Sequence, residues 1–226
     1  MFDLTIASTG ASEKTLRREK IPYLASWTHS ASNASYFPGA QTLSIKLLFS
    51  PGDGKALGAQ IVGGKGVDKR IDVLSTAIRA GMTVFDIEDL ELAYAPPYGS
   101  AKDAANIAGF AAANAMRGDV ALAAWDAAED FSPDKYLFLD LRNKPEIDST
   151  ALIKNAITIP LHQLRGRLGA LDRGKTIVAY CAVGLRGYVG ARILSQNGFN
   201  AMNLSGGYRT WSAAARPRRR FGLHFQ

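Results

Sequence analysis

An apolar run, Thr176-Ile177-Val178-Ala179-Tyr180, leads directly into Cys181-Ala182-Val183-Gly184-Leu185-Arg186-Gly187 and then into a helix-like run, Tyr188 to Leu194. A strand, a short loop and a helix in such tight succession set the last strand residue against the first free N–H groups of the helix, where an anion is stabilised. Cys181, the sole cysteine, occupies that place. The thiolate is favoured there over the thiol, and the thiolate is the nucleophile. Gly184 permits a tight turn with its N–H groups pointing inward, and Arg186 adds a permanent positive charge. A lone cysteine at the end of an apolar strand is also a common packed core residue. A core cysteine requires neither the glycine nor the arginine.

Loop length chooses among chemistries. Cysteine phosphatases wrap a tetrahedral phosphate in a Cys-x5-Arg loop; four residues separate Cys181 from Arg186, so this cradle is one residue smaller and suits a single extra sulfur atom on the cysteine. The stretch Cys181-Ala182-Val183-Gly184-Leu185-Arg186 resembles the active loop of the rhodanese family, Cys-Arg-x-Gly-x-Arg. Ala182 replaces the first arginine, which favours a sulfur donor other than thiosulfate. Upstream, Tyr136 to Arg142 reads as a buried strand ending in Asp140-x-Arg142, like the family's first signature. Asn155 to Leu161 follows, and Gly206-Gly207-Tyr208-Arg209-Thr210-Trp211 is similar to its closing signature. The resemblance implies that Cys181 and Arg186 are catalytic. It also implies that Ala182, Val183, Gly184, Leu185 and Gly187 cradle a persulfide, with Asp140 and Arg142 in support. Asp140 and Arg142 read equally well as a solvated or mutually paired couple at a strand end.

At 226 residues, with 47% hydrophobic and 21% charged residues, the chain suits one or two globular domains and has no apolar run long enough for a membrane helix. Met1 to Gly10 lacks a leader pattern, and one cysteine excludes an internal disulfide or a multi-cysteine metal site. A cytoplasmic chain without a metal is expected, and His29, His162 and His224 show no partner spacing. The net charge of +7 is concentrated at the end: without Arg216, Arg218, Arg219 and Arg220 the balance is 23 basic to 20 acidic residues, or +3. No nucleic-acid partner is expected. The tail reads as a basic arm or as a solvated, disordered terminus.

In the first half, Phe2 to Ser8, Tyr23 to Ser30, Gln41 to Ser50 and Leu57 to Gly63 read as strands, with Pro51-Gly52-Asp53-Gly54 closing a hairpin. Val67 to Ala80 and Ala101 to Met116 read as helices, the second starting after a Gly99-Ser100 cap. Gly63-Gly64-Lys65-Gly66 has neither P-loop nor dinucleotide spacing and reads as a turn.

The segments Ala59 to Gly63, Val67 to Leu74, Tyr94-Ala95-Pro96-Pro97-Tyr98 and Ala101-Lys102-Asp103 resemble the dimerisation domain of the FAD-dependent pyridine nucleotide-disulfide oxidoreductases, in particular the coenzyme A-disulfide reductase branch. A rhodanese domain after it is the arrangement of the coenzyme A-disulfide reductase/rhodanese fusions. The resemblance implies an α/β chain: an α+β dimerisation domain at 1–116, a linker at 117–133, an α/β rhodanese-like domain with a mostly parallel sheet at 134–215, and a basic tail at 216–226. It also implies a homodimer in which Tyr36 and Tyr94 reach the partner's substrate pocket; each tyrosine reads alternatively as an interface or core aromatic. FAD, NAD(P)H and CoA are implied for the full-length family enzyme, and no cofactor for this chain alone. The expected substrates are CoA persulfide, CoA disulfide, polysulfide or thiosulfate. A rhodanese-like docking module without activity, on a dimeric scaffold, is the alternative function.

Overall fold

The computed structural model describes residues 3–126 and 130–221, except for the side chains of 215–221. The chain divides into two units, Met1–Arg117 and Gly118–Gln226, each with its own sheet and core.

The first unit is a four-stranded antiparallel sheet in the order β1-β4-β3-β2, formed by β1 (Thr5–Gly10), β2 (Leu24–Ala31), β3 (Thr42–Phe49) and β4 (Ala56–Gly63). Leu43, Ile45 and Leu47 alternate along β3 onto one face and are buried there with Ala59 and Ile61 of β4, as a period of two requires. Helices α2 (Val67–Arg79) and α4 (Ala104–Met116) cover that face, contributing Val67, Leu74, Ala77, Ala105, Ala108 and Ala112. Two short helices, α1 (Glu13–Arg18) and α3 (Val84–Glu88), complete the unit. The α4 helix starts three residues later than the Gly99-Ser100 pair suggests. Asp103 is its N-cap, accepting from the Ala105 N–H at 3.1 Å while Asn106 accepts from the Asp103 N–H at 3.0 Å, the reciprocal bonding of a capping box.

The second unit is a five-stranded sheet, every pairing parallel, in the order β5-β9-β8-β6-β7: β5 (Ala121–Ala123), β6 (Tyr136–Asp140), β7 (Ile157–Thr158), β8 (Thr176–Tyr180) and β9 (Ala201–Leu204). Its helices are α5 (Lys144–Asp148), α6 (Leu185–Gln196) and α7 (Gly207–Phe221), with a 3-10 segment at Leu161–Ala170. The central strand β8 is buried on both faces, as parallel strands are: Ile177 and Ala179 enter one core with Leu139 and Leu194, Val178 and Tyr180 the other with Leu204 and Trp211.

Three expectations change. Ala121–Ala123, inside the expected linker, is an edge strand held by backbone pairing to Met202, Asn203 and Leu204, a pairing that a run of only three residues does not announce. Helix α6 begins at Leu185, so Leu185, Arg186 and Gly187 form its first turn instead of extending the loop. Helix α7 runs on to Phe221, so the first part of the basic tail is helical; residues 222–226, including His224, lie outside the described residues.

Candidate active site

Cys181 leaves the carboxyl end of the central strand β8 and is 1% exposed. The chain then reverses through Gly184, whose φ of +105° is open to glycine and strained for other residues. That turn aims the Gly184 N–H at the Cys181 Sγ, 3.3 Å away. The N–H groups of Leu185, Arg186 and Gly187 follow as the first turn of α6, where no intrahelical acceptor exists. Tyr188 N–H is the first to pair within the helix, with the Gly184 carbonyl at 2.8 Å. Sulfur therefore sits against a helix N-terminus, the region that favours negative charge.

The loop is clamped from behind by the start of α7. Tyr208 N–H donates to the Cys181 carbonyl at 2.8 Å and Arg209 N–H to the Ala182 carbonyl at 3.0 Å. Gly187, at the other end of the loop, leaves room for Asn203; an added Cβ would lie 2.3 Å from its Oδ1. Ala182 and Val183 are partly exposed, and Leu185 projects outward at 70% exposure.

Arg186 donates from Nη1 and Nη2 to the two oxygens of Glu146, at 2.7 and 2.5 Å, the bidentate pairing suited to a guanidinium. Its pKa is raised, first by its hydrogen bonds to Glu146 and further by the nearby Cys181. Glu146 is held at about 2, chiefly by Arg186 and then by the Asn143 N–H. Arg186 thus carries a carboxylate counter-charge that the loop sequence does not contain. Glu146 was not singled out from the sequence; the signal was Asn143-x-x-Glu146, a helix-start pattern, and its partner lies 40 positions downstream.

Asp140 and Arg142 are not a solvated couple: their side chains are 0% and 2% exposed. Arg142 Nε and Nη2 donate to Asp140, Nη1 to Thr150 Oγ1 at 2.7 Å and Nη2 to the Ala151 carbonyl at 3.1 Å. Its guanidinium lies 4.2 Å from the Tyr208 ring centroid and 5.7 Å from that of Tyr180. Burial, followed by the Asp140 carboxylate, pushes the Tyr180 hydroxyl up and keeps it neutral. The pair therefore braces Thr150, Ala151 and, through the Tyr208 ring, the start of α7, which in turn holds the loop.

In the first unit the Tyr36 and Tyr94 hydroxyls lie 3.2 Å apart, with the residues 76% and 47% exposed. Neither is a core aromatic. The hydrogen bond shared with Tyr36 raises the Tyr94 pKa. Tyr98 stands exposed on the same 94–99 segment. Buried Arg70 ties the two tyrosine-bearing segments together, donating to the Ser32 carbonyl at 2.7 Å, the Tyr98 carbonyl at 3.3 Å and the Asp103 carboxylate. The glycine turn before α2 is filled by the protein itself. An added Cβ at Gly64 would meet Gln41 Oε1 at 1.9 Å, and one at Gly66 would meet Arg70 Nη1 at 2.3 Å. It offers no cradle for a nucleotide phosphate. His29 bonds Ser44 Oγ through Nδ1 at 2.8 Å, and His162 meets Gln163 at 3.3 Å. Among the described residues, no helix is long and apolar enough to cross a membrane.

Two family descriptions match the two units: "Pyridine nucleotide-disulphide oxidoreductase, dimerisation domain" over residues 1–106 and "Rhodanese-like domain" over residues 123–214. The chain is a dimerisation domain of the first family joined to a domain of the second. Among solved structures it is similar to reduced CoADR-RHD of Bacillus anthracis, with 43% identity, a TM-score of 0.93, and coverage of 96% of this chain and 39% of that one. It is also similar to an NAD-dependent persulfide reductase from A. fulgidus, with 37% identity, a TM-score of 0.83, and coverage of 93% and 38%. Coenzyme A disulfide reductase of Staphylococcus epidermidis is 39% identical over 111 residues, which are 49% of this chain and 25% of that protein. The chain thus spans about a quarter of the length of the curated relatives it matches.

Proposed function

We propose that the second unit transfers sulfur through a persulfide on Cys181, as a rhodanese-type sulfurtransferase. The observation that carries this reading is the Gly184 N–H on the Cys181 Sγ at 3.3 Å, with Arg186 in the helix turn that follows directly. The Cys181 thiolate attacks the sulfane sulfur of CoA persulfide, a polysulfide or thiosulfate. A bond forms from Sγ to that sulfur, its bond to the donor breaks, and the electron pair leaves on the donor as a thiolate or sulfite. The loop N–H groups from Ala182 to Gly187 and the Arg186 charge stabilise the terminal sulfur anion. An acceptor thiolate then takes the outer sulfur and Cys181 leaves as thiolate. The small loop supports this chemistry over phosphoryl transfer.

The first unit is read as a homodimerising platform of a cytoplasmic enzyme, with Tyr36 and Tyr94 presenting neutral hydroxyls to the partner's substrate. FAD and NAD(P)H are the implied source of electrons for reducing CoA disulfide or persulfide in a full-length enzyme of this family. Light scattering on the eluting protein tests the platform; a monomer contradicts it.

Intact-mass measurement of wild type and Cys181→Ser after incubation with CoA persulfide, and separately with thiosulfate, tests the transfer. A gain of about 32 Da, one sulfur, on wild type alone is expected. No gain from either donor, with the thiol still alkylatable, would leave a docking module.

A further inference from the structure

We propose that Glu146 determines donor specificity at the sulfur site, selecting against donors that carry a second negative charge within one bond of the sulfur they give up. This deepens the sulfur-transfer reading and rests on it. Arg186 lies in the first turn of α6, two residues past the Gly184 N–H that bonds the Cys181 sulfur, and both of its terminal nitrogens are committed to Glu146, at 2.7 and 2.5 Å. A loop built to gather anions would leave that cation uncompensated. Here a carboxylate opposes it, and Ala182 supplies no further cation beside the sulfur. The neighbouring cations on the same segment are likewise matched, Arg142 by Asp140 and Lys144 by Asp148.

The two donor types load the same sulfur but differ in where charge sits. An organic persulfide brings its sulfane sulfur on a carbon-bound sulfur, and the rest of the molecule lies beyond the loop. Thiosulfate brings a dianion whose sulfonate is bonded directly to the transferred sulfur and must approach with it. Partly buried Glu146, 36% exposed at its side chain, repels that second charge through a medium less polar than water. In both cases the electron pair of the broken S–S bond departs with the donor, so nothing else is consumed.

Glu146→Gln separates charge from shape. The amide oxygen still accepts from Arg186 and from the Asn143 N–H that starts α5, while the charge is gone. Glu146→Asp keeps the charge and shortens the reach. Sulfur loading is followed by intact mass on the full chain, with thiosulfate and with glutathione persulfide as donors. Glu146→Gln is expected to raise the ratio of thiosulfate to persulfide loading rates by about tenfold or more, with Glu146→Asp staying near the wild-type ratio. An unchanged ratio in Glu146→Gln, or an equal fall with both donors, would overturn the inference and reduce Glu146 to a support for Arg186. A shifted ratio in Glu146→Asp would overturn it too, since position and not charge would then be responsible. If wild type loads from neither donor, the sulfur-transfer reading itself fails and this inference with it.

Discussion

Gly207 approaches Cys181 so closely that a Cβ on Gly207 would lie 2.5 Å from the Cys181 carbonyl oxygen and 2.8 Å from the Gly184 nitrogen, the nitrogen that donates to the sulfur. Gly207 also has φ of +60°, a conformation that L side chains rarely adopt. Gly207→Ala is therefore expected to displace the loop. Stability should fall by about 1–3 kcal/mol, and sulfur loading should fall more steeply than stability explains. Urea unfolding and intact mass on the same preparation check this. Full loading in a folded variant would show that the loop tolerates the shift.

Arg142 and Asp140 form a pair removed from water on both sides. Arg142→Met leaves a carboxylate buried without its partner and is expected to cost about 3–5 kcal/mol. Replacing both residues, as Asp140→Leu with Arg142→Met, should recover part of that loss, because the stranded charge is gone. A double variant as unstable as the single one would mean that the bonds to Thr150 and Ala151 matter more than the charge.

Glu146 ties stability to acid. Its pKa is lowered in the folded chain from 4.5 to about 2 by Arg186, so its contribution is present above about pH 4.5 and is lost as the pH falls toward 2. Urea midpoints of wild type should drop between pH 6 and pH 3 more than those of Glu146→Gln. Parallel curves for the two proteins would detach Glu146 from this dependence.

Tyr36→Phe with Tyr94→Phe removes two exposed hydroxyls and is expected to change stability by less than about 0.5 kcal/mol. In a longer reductase carrying this dimerisation unit, reduction of CoA persulfide should slow by about 100-fold if a hydroxyl donates to the leaving sulfur. Steady-state turnover reads this directly, and unchanged turnover removes both tyrosines from the mechanism.

Regular alternation and strong punctuation were readable without coordinates. Leu43, Ile45 and Leu47 declare the buried face of β3, and Cys181 to Gly184 declares the turn at the end of β8. What stayed hidden depends on partners distant in sequence. Glu146 meets Arg186 across 40 positions, and Arg70 meets Asp103 across 33. Asp140 and Arg142 were visible as neighbours, but their burial follows from α7 and Tyr208 folding back over them. β5 escaped notice because a three-residue run, Ala121-Leu122-Ala123, gains strand character only from the backbone of β9.

The same Glu146 carboxylate caps α5, accepting the Asn143 N–H at 3.0 Å, and grips Arg186. A helix of five residues has almost no persistence of its own. Fraying of α5 and release of the Arg186 guanidinium are therefore one event. Amide hydrogen exchange in α5 should slow when Cys181 carries its sulfur load, because the negative charge, moved onto the outer sulfur, tightens Arg186 in place and, through it, the helix that Glu146 starts.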